Sequence, residues 1–331
     1  MASDRIDEIN VCYEDLLALE RDFEDVEIDI IAKQYHACKP LHEKRADLIA
    51  KIPNFWRLVF EQAPPDIDQY IQPNDSALLL SSLESFSVSR FELDAGANGE
   101  PRSLSIRMEF SENDYFEDKV LEKKFWHRRA RDGIYDGLVS EPVPIKWKPG
   151  KDLTQGLLDL AVKVWEQDKK AVQAANGTST DKKKTKPEDW TPDQTALRDK
   201  IDLVGQGGMS FFCWFGFRGR HISAEEDALA REEDKKRRAE RASGKPAEPE
   251  NHQEAAAEEE DDDDDDDDDD DPLVLDIFRD GDDLAVAFSD DLWLNAIKYF
   301  NQAQEADAVS EFDFEDDDEE EEAPPLKKVK R

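Results

Sequence analysis

Cysteine is scarce in this chain: Cys12, Cys38 and Cys213 are the only three in 331 residues. An odd number at wide spacing excludes a disulfide framework and fits a reducing compartment. No apolar run approaches the length that spans a membrane, and the first residues hold no apolar signal core, so a soluble intracellular chain is expected. Histidine is also rare, and His36, His42, His127, His221 and His252 stand in no triad motif. Cys38 and His42 form an i, i+4 pair near His36, but a fourth zinc ligand is missing. Gly205-Gln206-Gly207-Gly208 lacks the Gly-Lys-Ser/Thr that completes a phosphate loop, and no spaced calcium loop occurs. These absences exclude an enzyme; no cofactor and no metal are expected. The last shortage is positive charge: 44 Lys and Arg face 82 Asp and Glu, a net charge of −38.

That acidity argues against charge-driven binding to a nucleic acid backbone and for a highly basic partner. Glu258–Asp271 is fourteen acids in succession, and Glu311–Glu322 holds ten more; without those 24 the rest still carries −14. The bland reading of such runs is a solubilising tail.

What the chain does have begins at Arg5. Ile6, Ile9, Tyr13, Leu16, Leu19, Phe23, Val26 and Ile30 recur at steps of three and four, followed by Ala37, Leu41, Leu48, Ile52 and Phe55. This spacing predicts one amphipathic helix with a charged outer face (Glu14, Asp15, Glu20, Arg21, Asp22, Glu24, Asp25), kinked but not ended at Pro40. So long a helix needs a long partner for its stripe, and a second copy running antiparallel is the simplest one. The alternative is a kinked helix pair packed on its own domain.

After Trp56 the chain reads as two short helices, the second capped by Asn74-Asp75-Ser76. From Leu83 the period becomes two, through Phe86, Val88 and Leu93, with a partner strand at Leu104, Ile106, Met108 and Phe110. A third strand is expected from Tyr115 to Trp126 and a fourth over Pro142–Trp147, giving an antiparallel four-strand meander covered by helices on one face. Ala224–Arg241 suits a solvated helix without an apolar stripe, leading into disorder. Asp290–Phe300 reads as a short helix with Trp293, Ile297 and Phe300 on one face.

Five stretches carry a resemblance: Ile52-Pro53-Asn54-Phe55-Trp56; Ser111–Leu121 with Glu112-Asn113 and Tyr115-Phe116; Ile145–Thr154; Ser210–Phe215; and Asp290-Asp291-Leu292-Trp293. In this order they resemble the nucleosome assembly protein family, nearest its SET (template-activating factor) branch. Two departures stand out: Leu294 occupies a position where the family often has Pro, and the segment from Phe215 to Leu273 is long and polar. The resemblance implies an α+β homodimeric histone chaperone. Its expected parts are a dimerisation helix (1–56), an earmuff domain (57–305) with polar insertions at 174–186 and 224–271, and an acidic tail (306–331).

On that reading the dimer seam is Ile9, Tyr13, Leu16, Leu19, Phe23, Val26 and Ile30. Candidate histone contacts are Asp282, Asp283, Asp290 and Asp291, joined in the tail by Phe312, Phe314, Asp316, Asp317 and Asp318. In an extended tail both phenylalanines project to one side, and burying each ring on a histone contributes about 1.5–3 kcal/mol before ordering costs. Lys327, Lys328, Lys330 and Arg331 after Pro324-Pro325 suit an importin groove, hence the nucleus with shuttling to the cytoplasm. The family resemblance also admits a histone acetyltransferase or a phosphatase as partner, with the chain acting as its cofactor or inhibitor.

Overall fold

A computed structural model describes residues 13–96, 99–133, 135–174, 190–205, 208–242 and 274–317. The chain opens with α1 (Tyr13–Ile49), 37 residues, about 55 Å long at the usual rise, and it passes through Pro40 without ending. After a turn, Asn54 takes the left-handed conformation (φ 58°) and leads Phe55 and Trp56 into the core. They open α2 (Phe55–Glu61), followed by α3 (Pro65–Asp68) and α4 (Pro73–Ser82). The cap of α4 lies two residues before the expected one. Gln72 is the N-cap, and Asp75, inside the first turn, accepts from the Gln72 N–H at 3.1 Å.

Strands β1 (Leu83–Ser89), β2 (Leu104–Phe110), β3 (Val120–Arg129) and β4 (Asp136–Ser140) form the antiparallel meander in sequence order. Phe86 faces Met108, Val88 faces Ile106, Met108 faces Leu121 and Leu104 faces Phe125, so one side of the sheet is a continuous apolar surface. A register shift between Leu83 and Ser85 turns Leu83 inward together with Phe86, although strict alternation would separate them.

Three strand boundaries correct the sequence expectation. After Ser89 the chain turns into a short helix, α5 (Phe91–Ala95), rather than continuing through Leu93. The third strand starts at Val120, not Tyr115. The fourth is Asp136–Ser140, whereas Ile145–Trp147 contributes only a single bridge, Phe116 to Trp147. Pro142 and Pro144 supply no N–H to a ladder, and the Val143 N–H instead reaches Phe215 O at 2.8 Å.

Helices α6 (Leu157–Ala174) and α7 (Pro192–Val204) pack on each other, and α6 also packs on a 3-10 turn, Phe211–Gly216. That turn is the centre of the core: Phe211, Phe212, Trp214, Phe215 and Phe217 are all buried among Phe125, Phe116 and Phe288. Then come α8 (Ala224–Ala242), α9 (Gly281–Ala287), a π turn (Phe288–Leu292) and α10 (Ala296–Asp317). Residues 293–295, with Leu294 among them, form a turn between the π turn and α10. On this last element Trp293 and Phe300 are half-buried, but Ile297 is 54% exposed and off the core face.

Two further expectations change. Residues 224–242 of the polar insertion are a helix docked on β3. The backbone from Glu311 to Asp317 continues α10 rather than extending. The acidic run Glu258–Asp271, Ile9, Asp318 and the basic C-terminus lie outside the described residues, as do the side chains of Tyr13, Phe312, Phe314, Asp316 and Asp317.

Candidate functional site

The four aspartates of α9 and the π turn separate into two groups. Gly281 is buried, with its carbonyl accepting the Trp214 indole N–H at 2.8 Å; a Cβ here would meet Phe217 at 2.3 Å. This close contact fixes Asp282 and Asp283 at the start of α9. Asp280 accepts from the Tyr70 hydroxyl at 3.1 Å, and burial together with Asp280, Asp283 and Asp66 pushes that hydroxyl up to about 12. Burial, then Asp283 and Asp276, hold the Asp282 carboxyl above its ordinary value. The surface around the start of α9 is thus acidic from several elements.

Asp290 and Asp291 sit eight residues further on, about 12 Å along a helical path. Both are engaged inside the chain. Asp290 lies 3.6 Å from Arg90, and Asp291 accepts from Asn295 Nδ2 and the Tyr299 hydroxyl, each at 2.8 Å. The four acids therefore do not form one constellation.

Helix α1 carries two stripes. Leu16, Leu19, Phe23, Val26 and Ile30 are all more than half exposed (54, 51, 63, 56 and 54%), and Leu41 and Leu48 continue the stripe at 59 and 63%. Their own domain does not cover them. A second stripe, Arg21, Glu24, Ile28, Ile31, Tyr35, Cys38, His42, Arg45 and Ile49, is half-buried or buried against that domain. Its contacts are polar: Tyr35 donates to Asp94 at 2.8 Å, Lys39 pairs with Asp94 at 2.6 Å, and Glu24 pairs with Arg102 at 2.7 Å. Arg45 is buried; its guanidinium stacks 4.1 Å from the Trp293 ring and donates to Trp293 O at 2.6 Å. His42 also stacks on Trp293, at 5.2 Å, and no metal-binding cluster is found among the described residues.

Several buried charges escaped the sequence reading. Asp75 receives the Ser210 hydroxyl at 2.6 Å and the Phe211 N–H at 2.7 Å, pinning α4 to the core turn. Lys123 points inward from β3 and donates to the carbonyls of Glu141, Phe215 and Phe217 at 3.1, 3.1 and 2.9 Å. Burial pushes its pKa down to about 7. Its signal was available: alternation in β3 places a lysine where Leu121 and Phe125 point. Asp227 and Asp234, buried on α8, were hidden in a run of mixed charge.

Comparison with known proteins gives this architecture a relationship. The profile of the Nucleosome assembly protein (NAP) family matches residues 46–303. The chain belongs to the nucleosome assembly protein family. A putative nucleosome assembly protein of Schizosaccharomyces pombe is 40% identical over 152 residues, covering 43% of this chain and 59% of that protein. Protein SET of Drosophila melanogaster is 32% identical over 158 residues, 47% of this chain and 55% of that one. The matched regions thus span little more than half the length of these relatives. Among solved structures, that of Ccp1 aligns with a TM-score of 0.48 at 28% identity, over 88% of this chain and 95% of that chain. The NAP profile begins near the end of α1 and ends inside α10, so of the two stripes it takes in only Leu48 and Ile49.

Proposed function

We propose that this NAP-family protein is a homodimeric histone chaperone that acts in the nucleus. It binds core histones, shields their basic surface from DNA and promotes nucleosome assembly and disassembly. The observation that carries this reading is the unpartnered apolar stripe on α1 of a chain with net charge −38 and NAP architecture. Five large side chains between Leu16 and Ile30 face away from the domain that α1 is docked on, which suits a second copy. Charge supports antiparallel pairing: residues 13–30 carry −7 and residues 31–52 carry +3, so opposite ends attract when the helices run in opposite directions. The acidic surface lowers the free energy of a histone's uncompensated positive charge, and a longer phosphate array then competes for it, so transfer needs no ATP. Asp282 and Asp283, with Asp66 and Asp280 beside them, are the ordered acids best placed for such contacts; the tail acids Asp316, Asp317 and Asp318 add to them. Import through Lys327, Lys328, Lys330 and Arg331 would place the chain with its partners.

Titration against each histone pair at physiological salt, with and without competing DNA, tests the proposal. Stoichiometric histone complexes that DNA drains are expected, with no complex between the chaperone and DNA alone. Equal binding of histones and polylysine would reduce the protein to a non-specific polyanion. Leu19→Glu with Phe23→Glu, checked by light scattering, is expected to give monomer; a well-folded dimer would rule out this stripe as the interface.

A further inference from the structure

Helix α8 is docked in an unusual manner. Among its described side chains only Ala230, Asp227 and Asp234 are buried, and its one large apolar residue, Leu229, is 48% exposed. A single methyl group contributes too little to hold a nineteen-residue helix in place. The helix instead repeats one unit: Asp227 with Arg231 and, seven residues later, Asp234 with Arg238, each pair at i, i+4 and 2.9 Å apart. Seven is two turns, so both units lie on one face.

That face touches two bodies. Toward the sheet, the Arg129 N–H donates to Asp227 at 2.8 Å, Arg128 pairs with Asp227 at 3.5 Å, and Arg231 pairs with Glu100 at 2.7 Å and donates to His127 O at 3.2 Å. Toward the dimerisation helix, Asp234 pairs with Arg21 at 2.7 Å, and Arg238 pairs with Asp25. Arg129 joins both bodies, reaching Asp234 at 3.4 Å and Glu24 at 3.5 Å. Between α1, the β3–β4 turn and α8 lies a cleft of about 480 Å³ lined in part by Arg21, Glu24, Arg129 and Asp234.

We propose that α8 is a salt-sensitive latch. Docked, it fastens the N-terminal half of α1 to its own earmuff domain. Released, it loosens that half of α1 while the aromatic core stays closed, since α8 is held through Asp227, Arg231, Asp234 and Arg238 rather than through the buried rings. The Arg partners are partly exposed, so added salt screens these contacts far more than it affects Phe211 or Trp214.

Hydrogen exchange on the full-length protein at about 0.05 M and about 1 M salt tests this. The expected result is an exchange increase of about tenfold or more at the amides of α8 at high salt, with β2 and β3 unchanged. Arg21→Glu with Asp25→Arg, which reverses both α1 contacts, should give the same increase already at low salt. Unchanged α8 protection across this range of salt would overturn the latch. Loss of α8 protection only together with β2 and β3 would also overturn it, because α8 would then be an ordinary part of the core. The salt series on the unaltered chain keeps the test open if the variant folds poorly.

Discussion

The turn Phe211–Gly216 and helix α8 both attach to the sheet, and they do so by opposite physics. The turn buries six consecutive residues, with Phe211 and Trp214 stacked at 6.0 Å and Trp214 edge-on to Phe288 at 5.5 Å. Helix α8 buries two carboxylates and one alanine. The first attachment depends on area removed from water and on shape, the second on charges that remain within reach of solvent. One sheet thus carries a region held by buried aromatic area beside a region held by ion pairs.

The hardest blow to this contrast falls on the aromatic side. Trp214→Ala removes a fully buried indole and its hydrogen bond to Gly281 O, and is expected to lower stability by about 3–5 kcal/mol in urea unfolding, at any salt. A loss below about 1 kcal/mol would mean that the turn is not the centre of the core.

Acid should next strain the flank under α8. Burial, then Arg102, pushes the His127 pKa down to about 4, while in the unfolded chain it titrates near 6.5. The unfolded state therefore takes the proton first. The stabilisation is complete above pH 6.5 and is lost as pH falls toward 4, by up to about 3 kcal/mol. Glu100, held down at about 2 chiefly by Arg102 against the opposing effect of burial, adds a further loss below pH 4.5. Melting followed from pH 7 to 4 should show this slope, and His127→Leu should flatten the part above pH 4.

Smaller still is the effect of one acid on α8. Asp227→Ala leaves the Arg129 N–H without its acceptor and Arg231 with Glu100 alone; with the arginine partly exposed, a loss of about 1–2 kcal/mol is expected at low salt. The loss should shrink in 1 M salt (about 3 Å screening length), unlike that of Trp214→Ala. The smallest effect belongs to the acidic run. Deleting Glu258–Asp271 should move the melting temperature by less than about 2 °C while weakening histone binding and flattening its salt dependence. Unchanged histone affinity at low salt would leave the run a solubility device.

Much of this fold was legible from period alone. Leu104, Ile106, Met108 and Phe110 announce β2, and the α1 stripe announces both the helix and its exposed apolar face. The fourth strand was misplaced because Ile145 and Trp147 look like strand residues, whereas the true β4, Asp-Gly-Leu-Val-Ser, is short and half polar. Helix α8 was read as solvated because hydropathy does not register a helix that docks through Asp227 and Asp234. At the candidate site, Asp282 and Asp283 fall on an acidic surface, whereas Asp290 and Asp291 have partners supplied by Arg90 and Tyr299. Whether a carboxylate is already engaged is decided by tertiary contacts, which composition does not record.

The two stripes of α1 differ in pitch. The self-facing stripe, Arg21 to Ile49, advances by strict steps of three and four, which slips backward by roughly 20° per heptad on a straight helix. The exposed stripe has an extra four-residue step, Ala37 to Leu41, and so keeps its bearing. Near Arg21 the two stripes look in almost opposite directions; near Arg45 and Leu48 they are neighbours. The helix is in effect a twisted strap between two loads. At its N-terminal end the hold on its own domain can be adjusted without touching the second copy proposed above. At the C-terminal end, where Arg45 lies on Trp293 beside Leu48, any change of side chain is felt by both loads at once.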